Sequence, residues 1–583
     1  MKLHNILMVL GIFCFYNIII TDAAIDNGTL NIKLDNKTPL LYNAKSIQIT
    51  IVNVDNNFEN IVWKDEKTLP FNISFSVYPG IYKVYIQKGN STVIEFNNDT
   101  KGYSITSYSK VYIPNIRVSP IHINYYNSNI KDILSDIPWR INKGENIPIT
   151  YIIKDANEWS AEFRNITVYN DGDPVGSETG DTIVYTHPLE RTLTEYFWYD
   201  HDILSPSLFN KQNDFINIHV KFDIVGEFDV HNFYTTYVSP YDLPHLKNWL
   251  YGDTHYHSSY SDNFMEFGAP IKSTKVAGKT IGLDWVTITD HSFDLDQNRW
   301  NDLVNDSSNY STGDLRILQS EEISCRVPDG LYQKYNHYLA YGITGFIPGG
   351  EWEDFTGSHY SCDELVPIVN AQGGFGYPAH PTYSDEFRDS WRNYSLNFSG
   401  LEIWNGVENV ENLEEALDKW KELLLNGRKI FIEAGSDAHG DFNSGFGKVR
   451  TAVFTPDKSN KGILSALRDG HSIMTDGPIV VFDINNTIIG DTIVVHKGNR
   501  INLKIRWNST FEFGSVHNIT LIKGVIGDTE VIEQKIYPNS YSGTSQINLT
   551  ASQDVYFRLM AFTSNGHRMY TNPIWVNVSN GKK

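Results

Sequence analysis

The stretch from Glu411 to His439, ENLEEALDKWKELLLNGRKIFIEAGSDAH, decides the class of the central part of the chain. Leu413, Ala416, Leu417, Trp420 and Leu424 recur at helical spacing on one face, which predicts a helix over Glu411–Leu425 that Gly427 stops. Lys429–Glu433 then reads as a strand, and the chain leaves it through Asp437-Ala438-His439. The same grammar recurs on the N-terminal side. A helix over Pro270–Ile281 leads to a strand over Trp285–Thr289 and then Asp290-His291. A helix over Asp363–Ala371 leads through Gly373-Gly374 to a strand over Phe375–Tyr377 and then His380. Alternating helix and strand predicts a parallel sheet or α/β barrel, where active residues collect at the C-terminal ends of strands.

On either side the texture is different. Short alternating runs such as Ser46–Val52 and Ile81–Gln87, broken by Asn, Asp, Gly and Pro, predict an all-β sandwich module over residues 25–125. A second β-sandwich module over 126–245 is read from Ile147–Ile153, Ile166–Tyr169 and Ile216–Phe222, closing on a linker from Ser239 to Pro244. The catalytic domain is expected over 246–475. A C-terminal β-sandwich module over 476–583 follows, with strands near Thr492–Val495, Arg500–Arg506, Ile519–Ile522 and Val555–Phe562. The β modules before the linker are expected to fold apart from the catalytic unit.

At 583 residues the chain exceeds a single hydrophobic core, and its 41% hydrophobic and 20% charged residues are an ordinary globular balance. A net charge of −21 argues against nucleic acid as a partner, because phosphate backbones need clustered Lys and Arg. It leaves room for small anionic esters, since bound cations reverse the local field. Lys2, the apolar run Ile6–Ile20 and small residues at Thr21–Ala24 predict a signal peptide over 1–24, or an uncleaved membrane anchor, and an extracellular or cell-surface protein. Asn-x-Ser/Thr sequons such as Asn72 and Asn508 fit export but arise easily in an Asn-rich chain. Of three cysteines, Cys14 falls in the signal; whether Cys325 and Cys362 pair is open.

The chemistry is carried by His, Asp and Glu at successive strand ends. His255-Tyr256-His257 puts two imidazoles on one face, because side chains alternate along a strand. Asp262, Asp290-His291, Glu321-Glu322, His337, His380 and Asp437-Ala438-His439 follow. One strand-end histidine is ordinarily structural; a series of them in one α/β unit points to a metal centre. Imidazole and carboxylate donors without thiolate suit Zn, Mn or Fe, so Cys325 is not expected to be a ligand. Asp253 and Asp290 either accept from ligand imidazoles or cap turns.

In this order the motifs resemble the polymerase-and-histidinol-phosphatase (PHP) superfamily, over about Tyr251–Pro478. Gly400–Gly406, Ala466–His471 and Thr475–Pro478 are similar to its carbaryl-hydrolase-like branch. The resemblance implies a distorted (β/α)7 barrel catalytic domain, here flanked by the all-β sandwich modules, and two or three divalent ions per chain. It implies that His255, His257, Glu322 and Asp437 hold one ion. Glu322 would bridge to a second ion held by His337 and His380, and Asp262, His291 and His439 would hold a third. Glu321 is expected to face the surface or a supporting position. Catalytic roles fall to Glu322 and, as a candidate proton donor in a loop, His359; Arg326, Arg388 and Arg392 either clamp an anionic substrate or face water. The implied activity is metal-dependent phosphoester hydrolysis. Its alternatives are carbamate, ester or amide hydrolysis at the same metals, or a surface adhesion protein whose β modules contact the cell surface or glycans.

Overall fold

The computed structural model describes residues 133–579 except 155, 157–160, 171–180, 210–213, 226–229, 263–267, 328–333, 351–359, 383–396 and 407–409, plus the backbone of seven strands between Gly28 and Tyr126. The expected signal segment lies outside these residues. The seven strands form two sheets: Phe71–Val77, Gly28–Leu34 and Ile123–Tyr126 in one, and Phe58–Lys67, Ile47–Asp55, Gly80–Lys88 and Lys110–Val118 in the other.

In the second module a three-stranded sheet (Phe197–Leu204, Ile147–Lys154, Ile133–Asp136) faces a five-stranded one built on Ala161–Asn170 and Phe215–Ile224. Strand Ile147–Lys154 is buried along its whole length. Its period-two alternation feeds two cores: Ile147, Ile149, Tyr151 and Ile153 fill the sandwich, whereas Ile152 belongs to the core of the catalytic unit. Trp139 donates from its indole to the Phe446 carbonyl at 2.9 Å, and the Asp136 carboxylate accepts from Phe442 N at 2.8 Å. The expected separateness of this module is thus corrected: strand Ile147–Lys154 is buried on both faces because the central part of the chain covers the second.

The expected (β/α)7 barrel is also corrected. Strands dominate, and there are five α-helices among the described residues: α1 (Ile271–Ile281), α2 (Gln297–Tyr310), α3 (Cys362–Ala371), α4 (Val410–Leu425) and α5 (Asn460–Arg468). Trp249–Asp253, Trp285–Ile288 and Arg316–Val327 pair in parallel. Beyond them the sheet turns antiparallel on both sides, through Lys334–Tyr341 and Phe375–Pro378 at one end and Arg450–Phe454 and Ser472–Thr475 at the other. Arg316–Val327 and Lys334–Tyr341, consecutive among the described elements, pair with each other antiparallel. Gly400–Asn405 and Phe431–Gly435 form a separate parallel pair. Ser472–Thr475 pairs with Arg568–Thr571, so one open, mixed sheet runs from the catalytic unit into the C-terminal strands. Periodicity located α1, α3 and α4 and the strands after them, but not α2 or α5; it carried no information on which strands pair, and pairing decides between a mixed sheet and a barrel.

Local signals explain the helices. Ser361 and Glu364 form a reciprocal capping box at the start of α3. Gly282, at φ 103°, ends α1 in the left-handed conformation that glycine adopts without strain. Cys325 and Cys362 are joined by a disulfide that ties the Glu322 strand to the first residue of α3.

Candidate metal centre

The strand ends converge. His255 follows Trp249–Asp253, His291 follows Trp285–Ile288, and Glu322 lies within Arg316–Val327, bridged to His291. His337 lies opposite Ser324 on the neighbouring antiparallel strand. The short strands Tyr256–His257 and Ala438–His439 pair in parallel with His257 opposite His439, which stacks their rings at 4.1 Å between centroids. Close approach is needed here: a Cβ on Gly435 would stand 2.4 Å from His255 Cβ. His380 and Asp437 have φ of 29° and 54°. For non-glycine residues such backbone costs about 1–3 kcal/mol, and it concentrates at functional sites.

Glu322 is fully buried and is the hub. Its oxygens lie 2.8 Å from His291 Nδ1 and His337 Nδ1, 3.2 Å from His380 Nε2, and 3.4–3.5 Å from His257 and His255 Nε2. Asp437 Oδ1 is 3.2 Å from His255 Nε2 and 3.1 Å from His257 Nε2, and those two nitrogens are 3.1 Å apart. Donors held about 2.0–2.2 Å from a common centre stand roughly 3–3.5 Å from one another, so the spacing fits a shared cation. Three overlapping groupings have donor atoms within 4.8 Å of one another: His255, His257, Glu322 and Asp437; His291, Glu322 and His337; and His257, His291 and His439. These buried groups could hold metal ions. A carboxylate can ligate through both oxygens, so Glu322 can serve two groupings at once.

The buried donors shift one another's ionisation. Burial alone would lower the His255 imidazole, but the Asp437, Glu402 and Glu322 carboxylates raise it well above its usual value. Burial pushes His257 well below its usual value, and the neighbouring His439 and His291 add to this. Burial opposes ionisation of Glu322 and Asp437, yet surrounding imidazoles hold both below the normal carboxylate range. The centre opens at Asp437, whose side chain is 27% exposed while those of His255, His257 and Glu322 show no exposed surface.

Eight of the nine expected ligands meet around Glu322. Asp262 does not join the donor groupings: its Oδ1 contacts Lys154 Nζ, and its Oδ2 accepts from the Tyr196 hydroxyl at 2.7 Å. Glu321 points away from the centre as expected, but it is fully buried rather than on the surface. It accepts from Ile347 N at 3.2 Å, and burial raises its carboxyl well above the usual range. His359, Arg388 and Arg392 lie outside the described residues. Asp253 and Asp290 accept mainly from the main chain. Asp253 binds Ser436 N at 2.9 Å and Gly447 N at 3.0 Å, and Asp290 binds Ser258 N at 2.7 Å and Ser261 N at 3.0 Å. They fix loops rather than imidazole tautomers.

That orienting role belongs to residues given no role from sequence. Glu402, fully buried, meets His255 Nδ1 at 3.0 Å and accepts from His380 N at 2.8 Å and Asn405 Nδ2 at 3.2 Å. Asn405 Nδ2 is also 3.1 Å from Asp437 Oδ2, so the pair braces three members of the cluster. Ser261 Oγ meets His257 Nδ1 at 3.0 Å. In the sequence, Glu402 and Asn405 stand out only within Gly400–Gly406, part of the resemblance; a lone Glu in a strand carries no other signal.

No family model and no curated protein matches the chain. Among solved structures, Bacteroides uniformis β-glucuronidase aligns at TM-score 0.22 and 11% identity, over 95% of this chain and 74% of that one. A putative β-galactosidase from Bacteroides fragilis aligns at TM-score 0.19 and 8% identity, over 96% and 91%. Scores this low establish neither a common fold nor a common activity.

Proposed function

We propose that the chain is an exported metal-dependent hydrolase acting on phosphoesters at the centre around Glu322. The observation that carries the reading is one buried carboxylate facing five imidazoles, with Asp437 completing the first donor grouping. The order of these motifs, which resembles that of PHP superfamily hydrolases, supports it. Divalent ions held by His255, His257, Glu322, Asp437, His291, His337, His380 and His439 would supply Lewis acidity, lowering the pKa of water and neutralising charge on ester oxygens. The chain's own residues supply the geometry. Glu402 and Ser261 orient His255 and His257 through their Nδ1 atoms, leaving Nε2 for ligation. Burial of Glu322 excludes water behind the centre, and the partly exposed Asp437 leaves the substrate side open. The Cys325–Cys362 disulfide supports the exported location, since such bonds persist in oxidising compartments.

The test uses full-length protein loaded with Mn or Zn. It is offered p-nitrophenyl phosphate and bis-p-nitrophenyl phosphate, beside p-nitrophenyl acetate and an aryl carbamate. Metal-dependent release from the phosphoesters alone supports the proposal. Release only from the acetate or carbamate replaces it with the carbamate/ester alternative. Retention of no metal after loading removes both.

A further inference from the structure

The second β module reaches the rim of the metal centre through one side chain. Alternation along Ile147–Lys154 places Lys154 on the face that Ile152 turns toward the catalytic unit. There its ammonium, 2% exposed, contacts Asp262 Oδ1, whose side chain is 9% exposed. Tyr196, just ahead of the adjacent strand Phe197–Leu204, donates to Asp262 Oδ2 at 2.7 Å, and its ring lies 5.8 Å from the ammonium. Asp262 directly follows Ser261, whose hydroxyl holds His257 Nδ1 at 3.0 Å and accepts from His291 N at 3.1 Å. His257, His291 and His439 come together without Asp262. An ammonium this deeply buried needs a counter-charge, and a carboxylate already facing that ammonium and a phenol gains little from a further cation.

We propose that Lys154 is the cation of Asp262, so that Asp262 fastens the second β module to the Ser258–Asp262 segment instead of holding a metal ion. Lys154 and Tyr196 of the second β module then hold, through Asp262, the end of the segment that carries Ser261. The statement about metal rests on the metal-centre reading above; the pairing itself does not.

The experiment compares wild type, Lys154→Met, Asp262→Asn and the double variant, each at full length. Melting temperatures are taken in chelator, and bound metal is counted by elemental analysis after loading with manganese and desalting. Asp262→Asn takes the facing carboxylate charge from a buried ammonium, so the double variant should melt higher than Asp262→Asn alone. Manganese per chain should be unchanged in Asp262→Asn. The proposal is overturned if the two melting losses simply add, or if Asp262→Asn loses a whole equivalent of manganese. If wild type retains no manganese, the metal reading fails, and the melting cycle alone decides the pairing.

Discussion

Glu321 and Glu322 are neighbours of identical chemistry, both fully buried, on opposite faces of one strand. Against the effect of burial, imidazoles hold the Glu322 carboxyl well below the usual range, whereas burial raises that of Glu321 well above it. Glu322→Gln removes the charge and one ligating oxygen. Because a change in a group that merely supports a ligand already costs about 10–100-fold, metal affinity and turnover should fall at least about 10²-fold. Glu321→Gln replaces a carboxyl that faces away from the donor groupings by an amide of the same shape and should leave metal content unchanged by elemental analysis. Glu433 supplies a pH test. Burial, and then the charge of Glu402, raise it well above its usual value, and it lies 2.8 Å from the Tyr341 hydroxyl. With the folded value above the unfolded one, its contribution to stability is complete below the unfolded value and is lost as pH rises through the folded one. Glu433→Gln stays neutral throughout. Its melting temperature relative to wild type should therefore climb as pH is raised, and a gap that stays constant with pH would refute this. The clustered histidines were legible in sequence because imidazoles at one strand end after another are rare. Glu402 and Lys154 were not, because a carboxylate or ammonium in a strand looks the same whether it meets water or a partner far along the chain.

At the scale of elements, the sequence located α1, α3 and α4 and the strands after them to within about two residues, through periodicity and stop signals that are local. It was silent on how those strands pair, and it left the cysteines open. The disulfide closes a segment with a separation of 37 residues that contains the strand bearing His337 and is anchored beside Glu322. Opening a loop of that length restores chain entropy to the unfolded state, so Cys362→Ser should cost about 2–4 kcal/mol in urea unfolding. Reductant should bring wild type down to the variant and leave the variant unmoved. Metal affinity should fall with it, since the Glu322 and His337 strands pair within the region the disulfide anchors.

At the scale of the whole molecule the parts share surfaces that neither sequence texture nor the linker announced. Ile152 sits in the core of the catalytic unit, with Trp139, Phe197 and Tyr199 packed against it. Arg140, fully buried, pairs at 2.9 Å with Glu512, in the turn between the C-terminal strands Arg500–Asn508 and Val516–Val525. A chain cut to residues 246–583 would expose this apolar surface and strand Glu512. It should aggregate or melt well below the full-length protein even though every proposed ligand is present; a soluble fragment that melts with wild type would refute the shared core. The sequence by itself determined α1, α3, α4 and the strands after them, the β character of the flanks and the donor set gathered at strand ends, because periodicity, stop signals and donor chemistry are properties of short stretches. Only the tertiary structure decided that the sheet is open and mixed, that Asp262 meets Lys154 away from the donor groupings, and that Glu402 and Asn405 brace the cluster. Those depend on strand pairing and on contacts between residues up to 147 positions apart, and no local pattern encodes them.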